Sequence, residues 1–185
     1  MTFLELAARR RSVRQYAGQP VAREAIERCL EAARLAPSAC NSQPWTFIVV
    51  DQQPLRRQLA EAAFSGLYKM NAFAAMAPVL VVVVTERSRF AAKLGGQFRG
   101  MQYSLVDIGI AGEHFCLQAA EEGLGTCWLG WLNEKAVKKV LGLPRAARVD
   151  VMFSLGYPAE TEPRPKNRRE LDDIRRYAEG PDTLK

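Results

Sequence analysis

Histidine and paired cysteines are scarce in this sequence. There is one histidine, and the four cysteines never form a C-x-x-C pair. Zinc knuckles and redox-active dithiols need such pairs or clusters, so the sequence favours neither kind of site. A domain of ordinary apolar content also has no need of disulfide bonds. We therefore expect no metal site, and reduced thiols in a cytoplasmic protein.

Long apolar runs are missing as well. The longest uncharged stretches, Leu35–Val50 and Met70–Thr85, both contain proline and fall short of the roughly 18 residues that suggest a membrane-spanning helix. Near the N-terminus Glu5 precedes the first arginine, Arg9, which reverses the basic-then-apolar order of a signal peptide. We expect neither a membrane segment nor export.

The composition is that of an ordinary folded domain. Hydrophobic residues make up 48% of the chain and charged residues 25%, which excludes a disordered or collagen-like protein. The length of 185 residues is close to that of one domain, and neither a repeat nor a linker divides it. We expect residues 1–185 to form a single domain.

The positive charge is clustered rather than spread evenly. The net charge is +6, and four of the six residues from Arg9 to Arg14 are basic. No zinc spacing, aromatic RNA-binding box or heptad accompanies the clusters, so nucleic acid is not expected as a partner. A small phosphorylated ligand fits better. The second cluster, near the C-terminus, consists of Arg164, Lys166, Arg168, Arg169, Arg175 and Arg176.

The hydrophobic pattern predicts a layered protein of helices and strands. Val79–Thr85 is apolar without alternation, which indicates a strand covered on both faces by helices. The tail after Tyr157 is expected to run extended over a surface. The other predicted strands are Trp45–Val50, Leu124–Trp131 and Val149–Gly156, and the predicted helices begin at Thr2, Ala22, Tyr103 and Asn133.

Two details of the predicted helices can be tested directly. In the helix Ala22–Ala36, Glu24 and Arg28 are spaced to form an i,i+4 ion pair. In the helix Tyr103–Glu122, Gly109 and Gly112 lower helix propensity, which predicts that another backbone approaches closely there.

Two polar segments are candidates for ligand binding. Arg10–Arg14 places three guanidinium groups and a hydroxyl in five residues, a set suited to a phosphate monoester, although a solvated basic face is the simpler interpretation. Ala36–Trp45 connects a helix to a strand with small residues and amides. These groups leave donors and acceptors free for the rim of a flat heteroaromatic ligand, or they form a polar turn.

Together the two segments resemble the FMN-dependent nitroreductase family. That family carries an R-R-S-x-R run followed by a P-S-x-x-N-x-Q-P-W segment, and both are present here. Each later motif is weak alone, but all stand in matching order along the chain. The further matching segments are Asp107–Ala111, Gly123–Trp131, Leu141–Pro144, Ser154–Ala159 and Pro165–Arg168.

The resemblance implies a fold and an assembly. It implies an α+β protein with a central, mostly antiparallel or mixed sheet that has helices on both faces. It also implies an intertwined homodimer, with flavin sites at the subunit interface and a C-terminal extension over the partner.

The resemblance also implies the site residues. Bound FMN would be the cofactor, with its phosphate, ribityl chain and pyrimidine edge met by Arg10, Arg11, Ser12 and Arg14. Lys166 and Arg168 would close on the phosphate, and Leu129 and Gly130 would offer backbone contacts near the flavin N5 and O4. The partner subunit would contribute Pro37, Ser38, Asn41 and Gln43.

The activity implied is reduction of nitroaromatics, quinones or related electrophiles by ping-pong hydride transfer, with NADH or NADPH as donor. No catalytic side chain is required, because the flavin carries the chemistry and the protein supplies placement and electrostatics. Arg14 would stabilise the negative charge that a flavin acquires on reduction.

Other functions stay open. A reductive dehalogenase of halotyrosines shares the first motifs, but that branch continues with G-A-H-T-E-P-W and has a longer lid than Gln52–Pro78 offers. A synthase of the cobamide lower ligand and a non-catalytic flavin- or anion-binding module are further alternatives.

Six side chains near the predicted site lack an assigned role. His114 is expected to be structural or solvated, and Cys127 to pack in the core, because no neighbouring His or Lys is evident to lower the pKa of its thiol. The aromatic residues could line a substrate face or be buried in the core or an interface; they are Tyr68, Phe98, Trp128 and Trp131.

Overall fold

The computed structural model describes residues 1–85, 102–160 and 166–178. Phe98, Arg164 and Pro165 therefore lie outside the described residues. The chain is an α+β protein, as predicted. Its helices are α1 Phe3–Arg9, α2 Arg23–Arg34, α3 Leu55–Ala63, α4 Tyr103–Glu121, α5 Glu134–Val140 and α6 Leu171–Ile174; its strands are β1 Trp45–Val50, β2 Val79–Thr85, β3 Gly125–Leu129 and β4 Arg148–Gly156.

The four described strands form one antiparallel sheet in the order β1-β2-β4-β3. In the register of this sheet, Val81 of β2 lies between Val49 of β1 and Phe153 of β4. Every residue of β2 except Val84 is buried. The prediction of a strand covered on both faces is confirmed.

Alternate residues of β2 contact two different helical layers. Val79, Val81 and Val83 face α2 and α4, where they pack with buried residues such as Ile26 and Phe115. Leu80 and Val82 face the opposite side, where the core includes Leu59 of α3 and Val137 of α5. Because both faces are apolar, the strand needs no polar alternation.

The first two helices begin and end close to the predicted positions. Thr2 caps α1 through a capping box with Glu5, and α2 ends at Arg34, before Pro37. The pKa of Arg28 is raised most by hydrogen bonding to Glu122, and the predicted partner Glu24 interacts favourably with Arg28 but raises its pKa less. Arg28 donates two hydrogen bonds of 2.6 Å to Glu122, just after α4, and so joins the two packed helices.

Helix α3 was not predicted, although its signal is visible in retrospect. Leu59 and Ala63 are four residues apart and both are fully buried against the sheet. A 3-10 segment, Gly66–Met76, follows it and leads into β2. This segment also borders the candidate site.

The surroundings of the two glycines of α4, Gly109 and Gly112, differ from each other and from the prediction. A Cβ at Gly112 would lie 2.4 Å from Trp128 and 2.8 Å from Phe153, so the close neighbours are aromatic side chains and not a backbone. Around Gly109 nothing lies within 4 Å in this chain. The backbone-approach prediction is therefore wrong for Gly112 and unsupported at Gly109 by the chain's own contacts.

The C-terminal tail, predicted as extended, contains the four-residue helix α6. On either side of α6 the described part of the tail has no regular structure. Leu171, Ile174 and Tyr177 are exposed on the single chain. No described helix is both long and apolar enough to cross a bilayer.

Candidate functional site

A cleft of about 620 Å³ brings the two basic clusters of the sequence together. One wall is the ribbon Arg10–Gln15, which follows α1, and the other is Lys166–Arg168 from the C-terminal tail. Pro158 and Glu160, which follow β4, complete the described lining. The residues that close this cleft are thus drawn from opposite ends of the chain.

Backbone hydrogen bonds hold the ribbon against the edge of the fold. Val13 N–H donates to Thr126 O of β3 at 2.8 Å, and Ala17 N–H donates to Tyr157 O at 2.8 Å. In return, Ala159 N–H donates to Gln15 O at 3.0 Å. The ribbon is therefore fixed to β3 and to the segment after β4, which favours a preorganised cleft wall.

Side chains of the ribbon alternate between the core and the cleft. Val13 is buried, whereas Ser12 and Arg14 are exposed beside the cleft. Val13 packs over Gly125, where an added Cβ would meet its Cγ2 at 2.4 Å. The basic run is thus an extended ribbon in which the buried Val13 directs its neighbours Ser12 and Arg14 outward.

Three cations crowd together at one end of the cleft. Lys166 Nζ donates to the carbonyl of Ala7, in the last turn of α1, at 2.6 Å. Burial, together with the neighbouring Arg10 and Arg168, lowers the pKa of Lys166, and Glu113 partly offsets this effect. Arg10 Nε lies 3.0 Å from Glu113 Oε1. Positive groups held this close together favour an anionic ligand.

The other ribbon arginines lie in different surroundings. Arg11 donates to Glu160 O at 2.8 Å, across the cleft rim. The Arg14 guanidinium stands 5.8 Å from the centre of the Phe73 ring, a cation–π contact with the 3-10 segment. Sequence reasoning missed Phe73, because nothing local marks an aromatic residue of a loop as a neighbour of Arg14.

The loop Pro37–Gln43 is a separate polar feature and does not line the cleft. It contains a 3-10 turn, Ala39–Asn41, and is tied to α4 through the buried Asp107. The Asp107 carboxylate accepts hydrogen bonds from Ala39 N–H at 2.9 Å and from Ser42 Oγ at 3.4 Å. Sequence reasoning had placed Asp107 only within a matching motif.

Internal hydrogen bonds shape the loop further. Gln43 N–H donates to Ser38 Oγ at 2.9 Å, and Gln43 Nε2 donates to Asn41 Oδ1 at 3.0 Å. Cys40, Asn41 and Gln43 have φ values of 53°, 53° and 44°, in the left-handed region that non-glycine residues rarely adopt. Pro37, Asn41 and Gln43 are exposed. A strained and exposed loop of this kind suits a functional contact.

Leu129 and Gly130, at the end of β3, also lie outside the cleft lining. Leu129 is completely buried within the chain, with both its side chain and its backbone covered. Gly130 is exposed, with nothing within 4 Å of a Cβ placed there. The backbone contacts that the resemblance implied for Leu129 and Gly130 stay a prediction.

The 3-10 segment links the end of β3 to the ribbon. Asn71 donates to Trp131 O at 3.0 Å, and Trp131 Nε1 donates to Leu67 O at 3.1 Å. The Tyr68 and Trp131 rings are 5.5 Å apart. Since Phe73 of the same segment contacts Arg14, one continuous segment borders both the ribbon and the residue after Gly130.

The remaining candidates are structural. Trp128 packs edge-on against Phe153 at 4.6 Å, in the core. Burial raises the pKa of the Cys127 thiol, which makes it a poor nucleophile. His114 Nδ1 lies 3.3 Å from Ala32 O, between α4 and α2.

The chain is thus an α+β protein with helices on both faces of one sheet and a cationic cleft at the edge of that sheet. Comparison with known proteins then identifies its family. The model of the nitroreductase family matches residues 7–69 and 67–157, so the chain belongs to the nitroreductase family.

Curated relatives agree with this assignment. A protein of Archaeoglobus fulgidus, named as an NADH dehydrogenase/NAD(P)H nitroreductase, is 35% identical over 85% of this chain and 86% of its own length. An NADH dehydrogenase of Thermus thermophilus is 31% identical over 91% of this chain and 92% of its own length.

Solved structures agree as well. A nitroreductase family protein from Clostridium novyi is 30% identical, with a TM-score of 0.76 over 87% of both chains. An FMN-dependent nitroreductase from Clostridium difficile is 27% identical, with a TM-score of 0.76 over 96% of this chain and 99% of its own.

Relatives with other reactions are also similar to this chain. The iodotyrosine deiodinase of Thermotoga neapolitana is 26% identical over 88% of this chain and 92% of its own length. Family membership therefore leaves the reaction to be argued from the site.

Proposed function

We propose that this chain is an FMN-dependent oxidoreductase that uses NADH or NADPH to reduce nitroaromatics, quinones or related electrophiles. The observation that carries the proposal is the meeting of Arg10–Arg14 with Lys166–Arg168 in one cleft. Like charges repel, so bringing two basic clusters together is unfavourable, and an anionic ligand shared by both would offset that repulsion.

The residues of the cleft fit the phosphate of FMN. Arg10 and Arg168 stand close enough to Lys166 to lower its pKa, and Glu113 is the acid that opposes this effect. A phosphate monoester carries nearly two negative charges at pH 7 and accepts charge-assisted hydrogen bonds from such groups. Binding FMN would therefore relieve the repulsion among the three cations.

The rest of the flavin would extend from this end along the ribbon. Arg11 and Ser12 would meet the ribityl chain, and Arg14 would meet the pyrimidine edge. Arg14 contacts Phe73 of the 3-10 segment, and Asn71 of the same segment donates a hydrogen bond to Trp131 O, next to Gly130. Leu129 and Gly130 would offer backbone groups to the reactive edge of the flavin.

A cytoplasmic homodimer would complete each site. Pro37, Ser38, Asn41 and Gln43 belong to a loop that lies outside the chain's own cleft. Their loop is exposed, strained and fixed to α4, as expected of a surface shaped for another molecule. We propose that it reaches the flavin of the partner subunit.

Bound FMN would supply hydride transfer in both directions, from the nicotinamide and then to the acceptor. The chain's own groups place the flavin and stabilise charge. The Arg14 guanidinium would favour the negative charge that develops on reduction. Cys127 is buried and protonated, and His114 faces a carbonyl of α2, so neither is assigned a catalytic step.

The test begins with the absorption spectrum of the purified protein after incubation with FMN. We expect a bound flavin spectrum that NADH or NADPH bleaches and that a nitroarene or a quinone restores. A protein that takes up no FMN contradicts the whole proposal. A flavin-loaded protein that neither nicotinamide reduces would instead be a binding module.

Reductive dehalogenation is the second candidate, because deiodinases are among the relatives. It would use the same cleft, with a halotyrosine as acceptor. The reduced protein should then release halide from iodotyrosine faster than it reduces quinones. We rank this activity second, because the deiodinase of Thermotoga neapolitana is 26% identical and the nitroreductase-named protein of Archaeoglobus fulgidus 35%.

A further inference from the structure

Val13, in the middle of the ribbon, is held from three sides. Its N–H donates to Thr126 O of β3 at 2.8 Å. Its side chain packs over Gly125, with no room for a Cβ between them. Its carbonyl accepts a hydrogen bond of 2.8 Å from the Tyr16 hydroxyl. The first two contacts fix the residue to β3, and the third fixes the orientation of the peptide that joins Val13 to Arg14.

The Tyr16 hydroxyl is itself buried in a defined network. Its oxygen lies 2.7 Å from Ser154 Oγ of β4, and both side chains are buried. A phenol has one proton, and that proton goes to the Val13 carbonyl, so Ser154 must donate to Tyr16. Burial raises the pKa of Tyr16, which keeps the donor protonated at neutral pH. The order of donation is therefore Ser154 to Tyr16 to Val13.

The tyrosine ring occupies a place that the backbone keeps open. A Cβ at Gly156, the last residue of β4, would lie 3.0 Å from Tyr16 Cδ1 and 2.4 Å from Pro78 Cδ. The ring is therefore set between the sheet and the ribbon. A rigidly held hydroxyl can orient the next peptide, whereas a mobile one could not.

We propose that Tyr16 is a positioning residue, which directs Arg14 at the ring system of the flavin by holding the Val13 carbonyl. The inference rests on the proposed FMN-dependent function. Arg14 stands at the opposite end of the ribbon from Arg10, which meets Lys166, and it lies beside Phe73. Tyr16 therefore affects the ring end of the flavin and leaves the phosphate end unchanged.

The experiment compares Tyr16→Phe with Ser154→Ala. The first variant removes the hydrogen bond to Val13 and keeps the ring, and the second removes a neighbouring hydroxyl of the same network and keeps that bond. We measure the midpoint potential of bound FMN and the affinities for FMN and riboflavin. Tyr16→Phe should make the potential more negative. It should also weaken the binding of FMN and of riboflavin by about tenfold, as expected for the loss of one hydrogen bond. Ser154→Ala should leave the potential unchanged and should change neither affinity by more than about twofold.

A double-mutant cycle shows whether Tyr16 acts through Arg14. In an Arg14→Ala background, Tyr16→Phe should shift the potential no further. An unchanged potential in Tyr16→Phe overturns the inference, as does an equal shift in Ser154→Ala or an additive shift in the double variant. Loss of FMN affinity without loss of riboflavin affinity also overturns it, because that result assigns Tyr16 to the phosphate. Wild-type protein that binds no FMN defeats the proposed function itself.

Discussion

The ribbon Arg10–Gln15 and the loop Pro37–Gln43 both contain residues predicted to contact one ligand, but the two segments are held by different parts of the fold. The ribbon is hydrogen-bonded to β3 and to the segment after β4, and it meets Lys166 in a cleft. The loop is tied to α4 through Asp107 and lies outside that cleft.

This difference separates two kinds of binding surface. The ribbon belongs to a half-site that the chain builds alone, with buried residues such as Val13 behind its cations. The loop presents polar groups on a strained backbone and contributes none of the described residues that line the cleft. The chain's own packing thus forms the cleft, and we propose that a second chain uses the loop.

Removal of Lys166 should have the largest effect. Lys166→Ala should weaken FMN binding by about 10- to 100-fold, the range for a lost charge-assisted hydrogen bond, and leave riboflavin binding unchanged. Titration by flavin fluorescence measures both affinities. Lys135→Ala, an exposed lysine of α5, is the control and should change neither. An equal loss of riboflavin affinity would contradict the placing of the phosphate here.

Substitution of Asp107 should affect the loop Pro37–Gln43. Asp107→Ala leaves the Ala39 N–H without its acceptor and should cost about 1–3 kcal/mol in the free energy of unfolding. If the loop contacts the flavin ring, FMN and riboflavin should weaken equally. Asp51→Ala, which removes an ion pair with Arg23, should cost less than about 1 kcal/mol. Chemical denaturation measures the free energies of unfolding, and flavin titration measures the two affinities. A loss of affinity for FMN but not for riboflavin would contradict the contact of this loop with the flavin ring.

Gly125 tests the packing behind the ribbon. Gly125→Ala forces its Cβ against Val13 and should destabilise the fold by about 1–3 kcal/mol. Gly18→Ala is the matched control, because nothing lies within 4 Å of that position. Thermal unfolding of the two variants measures the difference. Equal stabilities would mean that the ribbon moves freely over β3.

The effect of pH on FMN binding should be smaller than the effects of these substitutions. Burial and the neighbouring arginines lower the pKa of Lys166, so the ammonium loses its proton at a lower pH than an ordinary lysine. A phosphate needs the charged form, so the ratio of FMN to riboflavin affinity should be highest near neutral pH. It should fall as pH rises through this lowered pKa. Titrations in the alkaline range test this, and Lys166→Ala should abolish the dependence.

Gly109 should give the smallest effect. With open space around it in this chain, Gly109→Ala should stabilise α4 by about 1 kcal/mol through helix propensity. Thermal unfolding and size-exclusion chromatography measure the outcome. Dissociation of a dimer in this variant would show that the second chain packs at Gly109, two residues beyond Asp107, where the loop is tied.

Much of the fold was predictable from local patterns. The bounds of Val79–Thr85 and the cap at Thr2 follow from apolar runs and capping chemistry, and both are confirmed. The unpredicted features depend on distant partners. Arg28 pairs more strongly with Glu122 than with Glu24, because α2 and α4 pack together.

The candidate site shows the same division. The ligand-binding character of the cations and amides could be predicted from the sequence. The left-handed φ of Asn41 and the contact of Phe73 with Arg14 could not. A left-handed backbone at a non-glycine residue is imposed by surrounding hydrogen bonds, here those of Asp107 and Ser38. No local pattern encodes such bonds.

The amino-acid sequence by itself determined where strands form, which segments carry positive charge and which motifs match the nitroreductase family. The resemblance implied that Arg10 and Lys166 meet one phosphate, but tertiary structure alone decided the shape of the cleft they share and that Tyr16 holds the Val13 carbonyl. The physical reason is the separation along the chain of the residues that interact. Strand and cap preferences act between near neighbours, whereas the cleft depends on packing that brings the two ends of the chain to one edge of the sheet.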